Sequence, residues 1–322
     1  MLIAGIAVVR DEADVIESFA RHNLNLLDHL LIVDNLSGDN TVSILSAMAD
    51  EGLPIEVLKW DSIYHSQESA MVKGVDYLST HEPQFDFVVL LDADEFICCS
   101  SREEFHEDLT SAPADLIPAM AWKTFVPHSS SASTDPIDNI ANSMHWARYP
   151  EEPQQFKSIV PRALFGRCKI SKGNHRVFSL TGEMLPGHVL STRLGHFPIR
   201  SETQAMGKLL MGAHTMSIMR NKIAGEGSTW TSLAKKVREN GYRISPDQLL
   251  SFALGYGQYD AINGTSPSSV VKDPMPRFPN SFLRYPMLAE TSLAHRLDRF
   301  CEQLARANIA LADEIEAAKR AN

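Results

Sequence analysis

The stretch Phe87-Val88-Val89-Leu90-Leu91-Asp92-Ala93-Asp94-Glu95-Phe96 decides the fold. Its first five residues are apolar and show no polar alternation, and three carboxylates follow them. This pattern is typical of a strand that is buried on both faces. In open α/β sheets, ligands bind in the crevice outside the carboxyl ends of the strands. The stretch therefore predicts a buried strand whose carboxyl end borders a ligand site.

Two interpretations of the acidic residues follow. Asp92 and Asp94 can present oxygen ligands to one hard divalent cation, Mn²⁺ or Mg²⁺, which takes its remaining ligands from water and from substrate phosphates. Alternatively, the acidic residues only cap the next helix, near Ser100-Ser101-Arg102-Glu103. The short motif alone does not separate the two.

The preceding chain predicts strands that alternate with helices. Strands are expected at Ile3–Val9, Leu30–Val33 and Ile55–Leu58, and helices at Asp14–Leu27, from Thr41 through Met48, and at Gln67–Leu78. Asp11 is the predicted N-cap of the first helix. Such alternation gives right-handed crossovers and a mainly parallel sheet with helices on both faces.

Phosphate-binding glycine motifs are absent from this α/β pattern. The sequence has neither Gly-x-Gly-x-x-Gly after the first strand nor Gly-x-x-x-x-Gly-Lys. Asp34 ends the second strand as Asp92 ends the fourth, so both side chains are expected at one crevice. A nucleotide there would depend on carboxylates, a metal ion and scattered cations.

Composition narrows the class of protein. The 322 residues, 44% hydrophobic and 22% charged, are typical of globular proteins. Because no apolar run reaches the length of a membrane span and the first residues lack a basic leader, a cytoplasmic protein is expected. The four cysteines match no zinc spacing, so reduced thiols are the simplest interpretation.

Charge is unevenly distributed along the chain. The net charge of −10 argues against nucleic-acid binding. However, the segment Lys157–Gly182 has six Lys or Arg residues and no Asp or Glu. It is either a cationic surface for a compact anion or a solvated basic face.

The first hundred residues resemble a family 2-type glycosyltransferase of the GT-A fold, in the branch whose strand ends in Asp-Ala-Asp-Glu-Phe. The matching elements are Val9-Arg10-Asp11-Glu12-Ala13 after the first strand, the turn Asp34-Asn35-x-Ser37-x-Asp39-x-Thr41, and Asp92-Ala93-Asp94-Glu95-Phe96. The resemblance implies transfer of a sugar from a nucleotide diphosphate sugar donor to an acceptor hydroxyl, with Mn²⁺ or Mg²⁺ as cofactor.

The same resemblance implies roles for particular residues. Arg10, Asp11, Glu12 and Asp34 would border the nucleoside. Asp92 and Asp94 would meet the ribose and the metal-bound diphosphate.

Histidines and cations later in the chain are further candidates. His196, in His196-Phe197-Pro198-Ile199-Arg200-Ser201, looks like the element that completes the metal or diphosphate site in similar enzymes, and His175 is a second candidate ligand. Each is otherwise a structural histidine. Arg200 and Lys208 could meet diphosphate oxygens. Lys73 could reach a phosphate or be a plain surface lysine.

The catalytic base is the least determined residue. Inversion at the anomeric carbon, which the resemblance implies, requires a carboxylate that takes the acceptor proton. Glu183, Asp135 and Asp138 are the candidates, with Glu183 first because it follows the basic segment. The long segment Pro127–Gln155 is interpreted as a lid or an acceptor-binding loop.

Three regions are predicted: a nucleotide-sugar-binding half at 1–125, an acceptor and catalytic half at 126–225, and a helical C-terminal extension at 226–322. The last helix repeats apolar residues in steps of four and three, at Leu293, Leu297, Phe300, Leu304, Ala307, Leu311 and Ile315. This face either packs on its own domain or forms a homo-oligomer.

The acceptor and the reaction class leave alternatives open. A saccharide or a lipid-linked intermediate of surface polysaccharide synthesis is the expected acceptor, the latter with peripheral membrane contact. A nucleotidyltransferase is a rival, because paired acids at a sheet edge also serve attack on an α-phosphate. The second rival is a catalytically degenerate domain that binds a saccharide or a partner.

Overall fold

The computed structural model describes residues 1–61, 67–82, 84–128, 139–218, 227–257, 269–279, 281–289 and 292–321. The predicted catalytic candidates Asp135 and Asp138 lie outside the described residues.

Most of the strands belong to one large sheet. These strands are β1 (Ile3–Val9), β2 (His29–Asp34), β3 (Ile55–Lys59), β4 (Phe87–Leu91), β5 (Glu95–Cys98), β6 (Ile117–Thr124), β8 (Phe156–Pro161) and β11 (Gly187–His196). Their order across the sheet is β3-β2-β1-β4-β8-β6-β11-β5. Two small sheets pair β7 (Trp146–Tyr149) with β12 (Ser269–Lys272), and β9 (Cys168–Ile170) with β10 (Val177–Ser179).

Parallel pairing dominates the large sheet. β1 runs parallel to β2 and β4, β2 to β3, and β6 to β11, whereas β8 is antiparallel to β4 and β6, and β5 to β11. Parallel strands end at one edge, which places the carboxyl ends of β1, β2 and β4 side by side.

The helices are α1 (Ile16–Asn23), α2 (Thr41–Asp50), α3 (Gln67–Leu78), α4 (Arg102–Ser111), α5 (Ile140–Ser143), α6 (Glu202–Ile218), α7 (Ser228–Glu239), α8 (Pro246–Leu254), α9 (Pro286–Ala289) and α10 (Leu293–Ala321). In the part of the chain described, no helix has the length and apolar character needed to cross a membrane.

Helices cover both faces of the sheet. Successive residues of a strand point to opposite faces, and in β1 Ile3 joins the apolar cluster that contains Phe19 of α1, whereas Ala4 joins the cluster that contains Met71 of α3. The predicted fold class, a mainly parallel α/β sheet with helices on both faces and a helical C-terminal extension, is confirmed. The division at 125 and 225 stays a prediction.

The first helix begins later than predicted. Its N-cap is Val15, so the prediction that Asp11 caps it is wrong. Asp11 has a left-handed φ of 56°, and its Oδ1 accepts a hydrogen bond from the Gly38 amide at 2.7 Å. The carboxylate therefore joins the β1–α1 loop to the turn after β2.

The early part of the C-terminal helix packs on its own chain. Phe300 is buried beneath the Arg10 guanidinium, 5.2 Å from the ring centroid, and Gln303 accepts a hydrogen bond from Arg10 and donates one to the Leu36 carbonyl. The part of the apolar face around Phe300 therefore packs against its own chain. Pairing with another subunit remains a prediction.

Side chains of α1 cover the free edge of β5. The Asn23 amide donates to the Glu95 carbonyl at 3.0 Å and accepts from the Ile97 amide at 3.0 Å, while Nε2 of His22 lies 2.9 Å from the Ile97 carbonyl. These contacts satisfy backbone groups that an edge strand otherwise leaves unpaired.

The burial of His22 leads us to expect a loss of stability in mild acid. Burial lowers its pKa from 6.5 to about 4. As the pH falls through this window, the unfolded state takes up a proton before the folded state, so His22 should cost about 3 kcal/mol of stability between pH 6.5 and 4. His22→Gln, whose amide can still donate to the carbonyl, should show a shallower pH dependence in urea unfolding. Parallel pH profiles would contradict this assignment.

Candidate functional site

A cavity of about 310 Å³ opens at the carboxyl edge of the sheet. Its walls come from the loop after β1, the residues after β4, the end of β11, and helices α6 and α10. Eight predicted site residues line it: Arg10, Asp11, Glu12, Asp92, Asp94, His196, Arg200 and Lys208. The structure thus brings together residues that lie far apart in the sequence.

Asp94 is buried between two cationic side chains and a histidine. Its Oδ2 lies 2.5 Å from Nζ of Lys208 and 3.8 Å from the Arg200 guanidinium, and its Oδ1 lies 3.9 Å from Nε2 of His196. Burial alone would raise the pKa of Asp94, but Lys208, His196 and Arg200 outweigh burial and lower it. Asp94 is therefore an anion at neutral pH.

Asp92 belongs to a second ionic cluster. Its Oδ2 accepts from Nζ of Lys157 at 2.5 Å, and its Oδ1 accepts from the Gln67 amide at 2.6 Å. Nζ of Lys157 also lies 3.1 Å from Oε2 of Glu95, and both side chains are 0% exposed. Burial would lower the pKa of Lys157, but Asp92 and then Glu95 outweigh burial and raise it, so the lysine carries its charge.

Glu95 orients the backbone at Asp92. Its Oε2 accepts a hydrogen bond from the Asp92 amide at 2.8 Å, which fixes the turn between β4 and β5. Burial, followed by the negative charges of Asp92 and Asp94, holds its pKa well above the usual range. Asp92, rather than Glu95, is the carboxylate that faces the cavity.

Arg200 ties the segment before α6 to the β1–α1 loop. Its Nε and Nη2 contact the two oxygens of Asp14 at 2.8 and 2.9 Å, and Nη2 also contacts Oε2 of Glu12 at 2.9 Å. Nη1 donates to the Phe197 carbonyl at 3.0 Å. Most of its donors are therefore engaged by the protein itself, and its main contribution is to hold Glu12 and Asp94 in place.

His196 lies in an aromatic pocket beside Asp94. It stacks on Trp122 with 4.0 Å between ring centroids and meets the edge of Tyr256 at 5.4 Å. Burial, with Lys208 and Lys157 nearby, outweighs the attraction of Asp94 and lowers its pKa to about 3. The ring is neutral at pH 7, and its buried Nδ1 has no hydrogen-bond partner among the described residues.

These donors fit a divalent cation. A neutral imidazole and an ionised carboxylate are both competent ligands for Mn²⁺, and Nε2 of His196 and Oδ1 of Asp94 face each other at a distance too long for a hydrogen bond. Asp92 lies on the same wall but is held by Lys157 and Gln67. Asp94 and His196 are therefore the better-placed pair, with Asp92 next to them.

Four other predicted residues lie outside the cavity lining. Asp34 accepts from the Ser37 amide at 3.3 Å and shapes the adjoining turn. Lys73 is exposed, with Nζ 5.3 Å from the centroid of the Trp60 ring. Nδ1 of His175 hydrogen-bonds the Phe156 carbonyl at 2.8 Å. Glu183 is exposed in the turn after β10.

The basic segment does not form a uniform cationic surface. Lys157 is buried in the acidic cluster, and Arg162 pairs with Asp86 at 2.8 Å. Arg167, Lys169 and Arg176 are exposed.

Several residues that line the cavity were not predicted from the sequence. These are Gln67, Trp122, Gln204, Trp230, Tyr256 and Arg296. None belongs to a recognisable motif. Lys157 lies outside the cavity lining but holds Asp92, and a lysine in a buried strand needs an acidic partner.

No family model matches the chain, and no curated protein matches it. Solved structures give distant similarities. A mannosyltransferase from Pyrobaculum calidifontis in complex with GDP-Man and Mn²⁺ is 13% identical, with 82% of this chain and 76% of that chain covered and a TM-score of 0.35. A glucosyl-3-phosphoglycerate synthase from Mycobacterium tuberculosis in complex with Mn²⁺ and UDP is 14% identical, with coverages of 51% and 57% and a TM-score of 0.27.

A synthase of a different name is similar to the same degree. The 4-diphosphocytidyl-2C-methyl-D-erythritol synthase from Anaerococcus prevotii is 12% identical, covers 51% of this chain and 71% of that chain, and has a TM-score of 0.31. Because these TM-scores lie below 0.5, the similarities do not bear on reaction, ligand or individual residues.

Proposed function

We propose that the chain is a metal-dependent glycosyltransferase that moves a sugar from a nucleotide diphosphate sugar to an acceptor hydroxyl. The main support is the pairing of anionic Asp94 with neutral His196 and cationic Lys208 at the carboxyl edge of a mainly parallel sheet. The site combines donors for a divalent cation with positive charge for a diphosphate.

Each group has a definite role in this proposal. Asp94 and His196, with Asp92, would hold Mn²⁺ or Mg²⁺, and the ion would supply Lewis-acid stabilisation of the departing nucleoside diphosphate. The Lys208 ammonium group would offset negative charge on the diphosphate oxygens. Arg10, Asp11 and Glu12 form the wall that borders the nucleoside. Arg200 holds the side chains of Glu12 and Asp94 in position.

The base that takes the acceptor proton is a separate proposal. Glu183 remains the first sequence candidate, with Asp135 and Asp138. Glu12 is a further candidate, because it lines the cavity and its pKa is raised to about 7, first by burial. Its Oε2 is held by Arg200, so Glu12 could act as a base only through its other oxygen.

A saccharide or a lipid-linked saccharide is the proposed acceptor. The exposed cations Arg167, Lys169 and Arg176 support an anionic or phosphate-linked acceptor. Peripheral membrane contact and a cytoplasmic location are parts of the same proposal.

Nucleotide binding tests the donor site. UDP, GDP, CDP and dTDP are each added to the protein with and without Mn²⁺ in a thermal-shift assay. One nucleotide should stabilise the protein by about 2.7 kcal/mol at a hundred times its dissociation constant, and only when Mn²⁺ is present. Asp94→Asn should lose the response, and Asp50→Asn, a matched control that removes an exposed carboxylate at the end of α2, should retain it.

The product separates the two enzyme classes. Incubation with the sugar derivative of the responding nucleotide should release the nucleoside diphosphate. Release of pyrophosphate from the nucleoside triphosphate would instead favour a nucleotidyltransferase. No response to any nucleotide would favour the degenerate saccharide-binding or partner-binding protein.

A further inference from the structure

A second cluster of potential metal ligands lies at the opposite edge of the sheet from the cavity. His29 begins β2, Glu56 lies in β3, and His81 follows α3. Asp34 ends β2, so the rise of a strand places this cluster roughly 17 Å from the cavity edge. The cluster is therefore separate from the proposed donor site.

The three side chains converge on one point. Nε2 of His81 lies 3.1 Å from Oε2 of Glu56, and Nε2 of His29 lies 3.7 Å from the same oxygen. One ligand atom from each residue falls within 4.8 Å of the other two. The side chains are 18–32% exposed, so the cluster lies near the protein surface.

Both ring nitrogens of His81 face hydrogen-bond acceptors, which favours a cation beside the ring. Its Nδ1 lies 3.5 Å from the Tyr77 carbonyl and its Nε2 faces the Glu56 carboxylate, so both ring nitrogens point at acceptors. A neutral imidazole has a single N–H to share between them. Either a second proton or a metal ion at Nε2 resolves the conflict.

His29 separates those two possibilities. Its Nε2 is buried and has no hydrogen-bond partner in the described part of the chain. A second proton on His81 would leave this nitrogen without a partner, whereas a metal ion between the three side chains would bind it. A ring nitrogen that faces a carboxylate and another imidazole at these distances is arranged as a metal ligand.

Surrounding side chains fix the positions of these ligands. The Tyr77 hydroxyl donates to Oε1 of Glu56, leaving Oε2 directed at the two histidines. The His29 ring stacks on Phe85 with 5.6 Å between centroids. Outer hydrogen bonds of this kind orient ligands in metal sites.

We propose that His29, Glu56 and His81 bind one Zn²⁺ ion, which joins β2, β3 and the segment after α3. Two imidazoles and one carboxylate are a ligand set that zinc uses with a fourth position left for water. Mg²⁺ prefers oxygen ligands alone. The site is independent of the proposed function at the cavity.

Zinc titration of the untagged, chelator-treated protein tests this site, with bound metal measured after desalting and thermal stability measured in parallel. Wild type and Asp94→Asn should each bind an equivalent of Zn²⁺ that raises the melting temperature. His29→Gln and His81→Gln should lose both effects. His188→Gln, which removes a histidine of β11, is the matched control and should behave as wild type.

Tyr77→Phe tests the same proposal without removing a ligand. Loss of the hydroxyl that orients Glu56 should weaken Zn²⁺ binding by about 10–100-fold while the circular dichroism spectrum is preserved. Unchanged Zn²⁺ affinity in both histidine variants would overturn the proposal, as would a wild-type protein that binds no Zn²⁺. Zinc binding that Asp94→Asn abolishes would assign the ion to the cavity instead and would also overturn it.

Discussion

Asparagine in place of Asp94 is expected to lower metal-dependent turnover by about 100- to 1,000-fold, the range observed when one preorganised electrostatic group is removed from an active site. The substitution keeps the shape of the side chain but removes the charge that faces His196, Lys208 and Arg200. Mn²⁺ would lose an anionic ligand, and the Lys208 ammonium would lose its counterion. Initial rates over a Mn²⁺ titration measure the effect.

Asp14→Asn is the matched control for this variant. Asp14 also pairs with Arg200, at 2.8 Å, but it lies outside the cavity lining. Its substitution should change turnover by less than about tenfold, because it removes no charge that faces the proposed metal ion. Wild-type turnover and Mn²⁺ dependence in folded Asp94→Asn would contradict the metal-site assignment.

The first four strands could be predicted because short runs rich in apolar residues mark them. β1, β2, β3 and β4 were found within about two residues of their ends, and α3 was predicted as observed, because its buried residues recur at helical spacing. The start of α1 was missed because Asp11 serves a tertiary contact with Gly38 rather than a helix cap. Local propensity does not report such long-range partners.

The cavity could be predicted only in part. Asp92, Asp94 and the Arg10-Asp11-Glu12 loop follow predicted strands, and topology alone brings such residues together. Trp122 and Tyr256 enter from segments that lie far away in the sequence, and neither residue belongs to a recognisable motif. Arg200 and Lys208 were predicted, but the buried ionic network that uses most of the Arg200 donors depends on three-dimensional packing.

Methionine in place of Arg200 is expected to reduce the free energy of unfolding by about 3–5 kcal/mol, the usual result of removing one partner from a buried ionic cluster. Glu12, Asp14 and Asp94 would then share a partly buried site without the cation that joins them. Burial already raises the pKa of Glu12 to about 7. The loss should therefore be larger at pH 8 than at pH 5, where protonation relieves the repulsion.

Urea unfolding at the two pH values measures the loss of stability in Arg200→Met. Two further variants separate its causes. Arg200→Lys keeps the charge but loses the paired contacts with Asp14, so it should lose less stability than Arg200→Met. Arg299→Met removes an exposed arginine that pairs with Glu302 at 3.0 Å, and should change the free energy of unfolding by no more than about 1 kcal/mol. Equal losses in Arg200→Met and Arg299→Met would show that the cluster adds nothing beyond a surface ion pair. A loss in Arg200→Met that is the same at both pH values would instead point to lost packing of the side chain, because only the uncompensated carboxylates respond to pH.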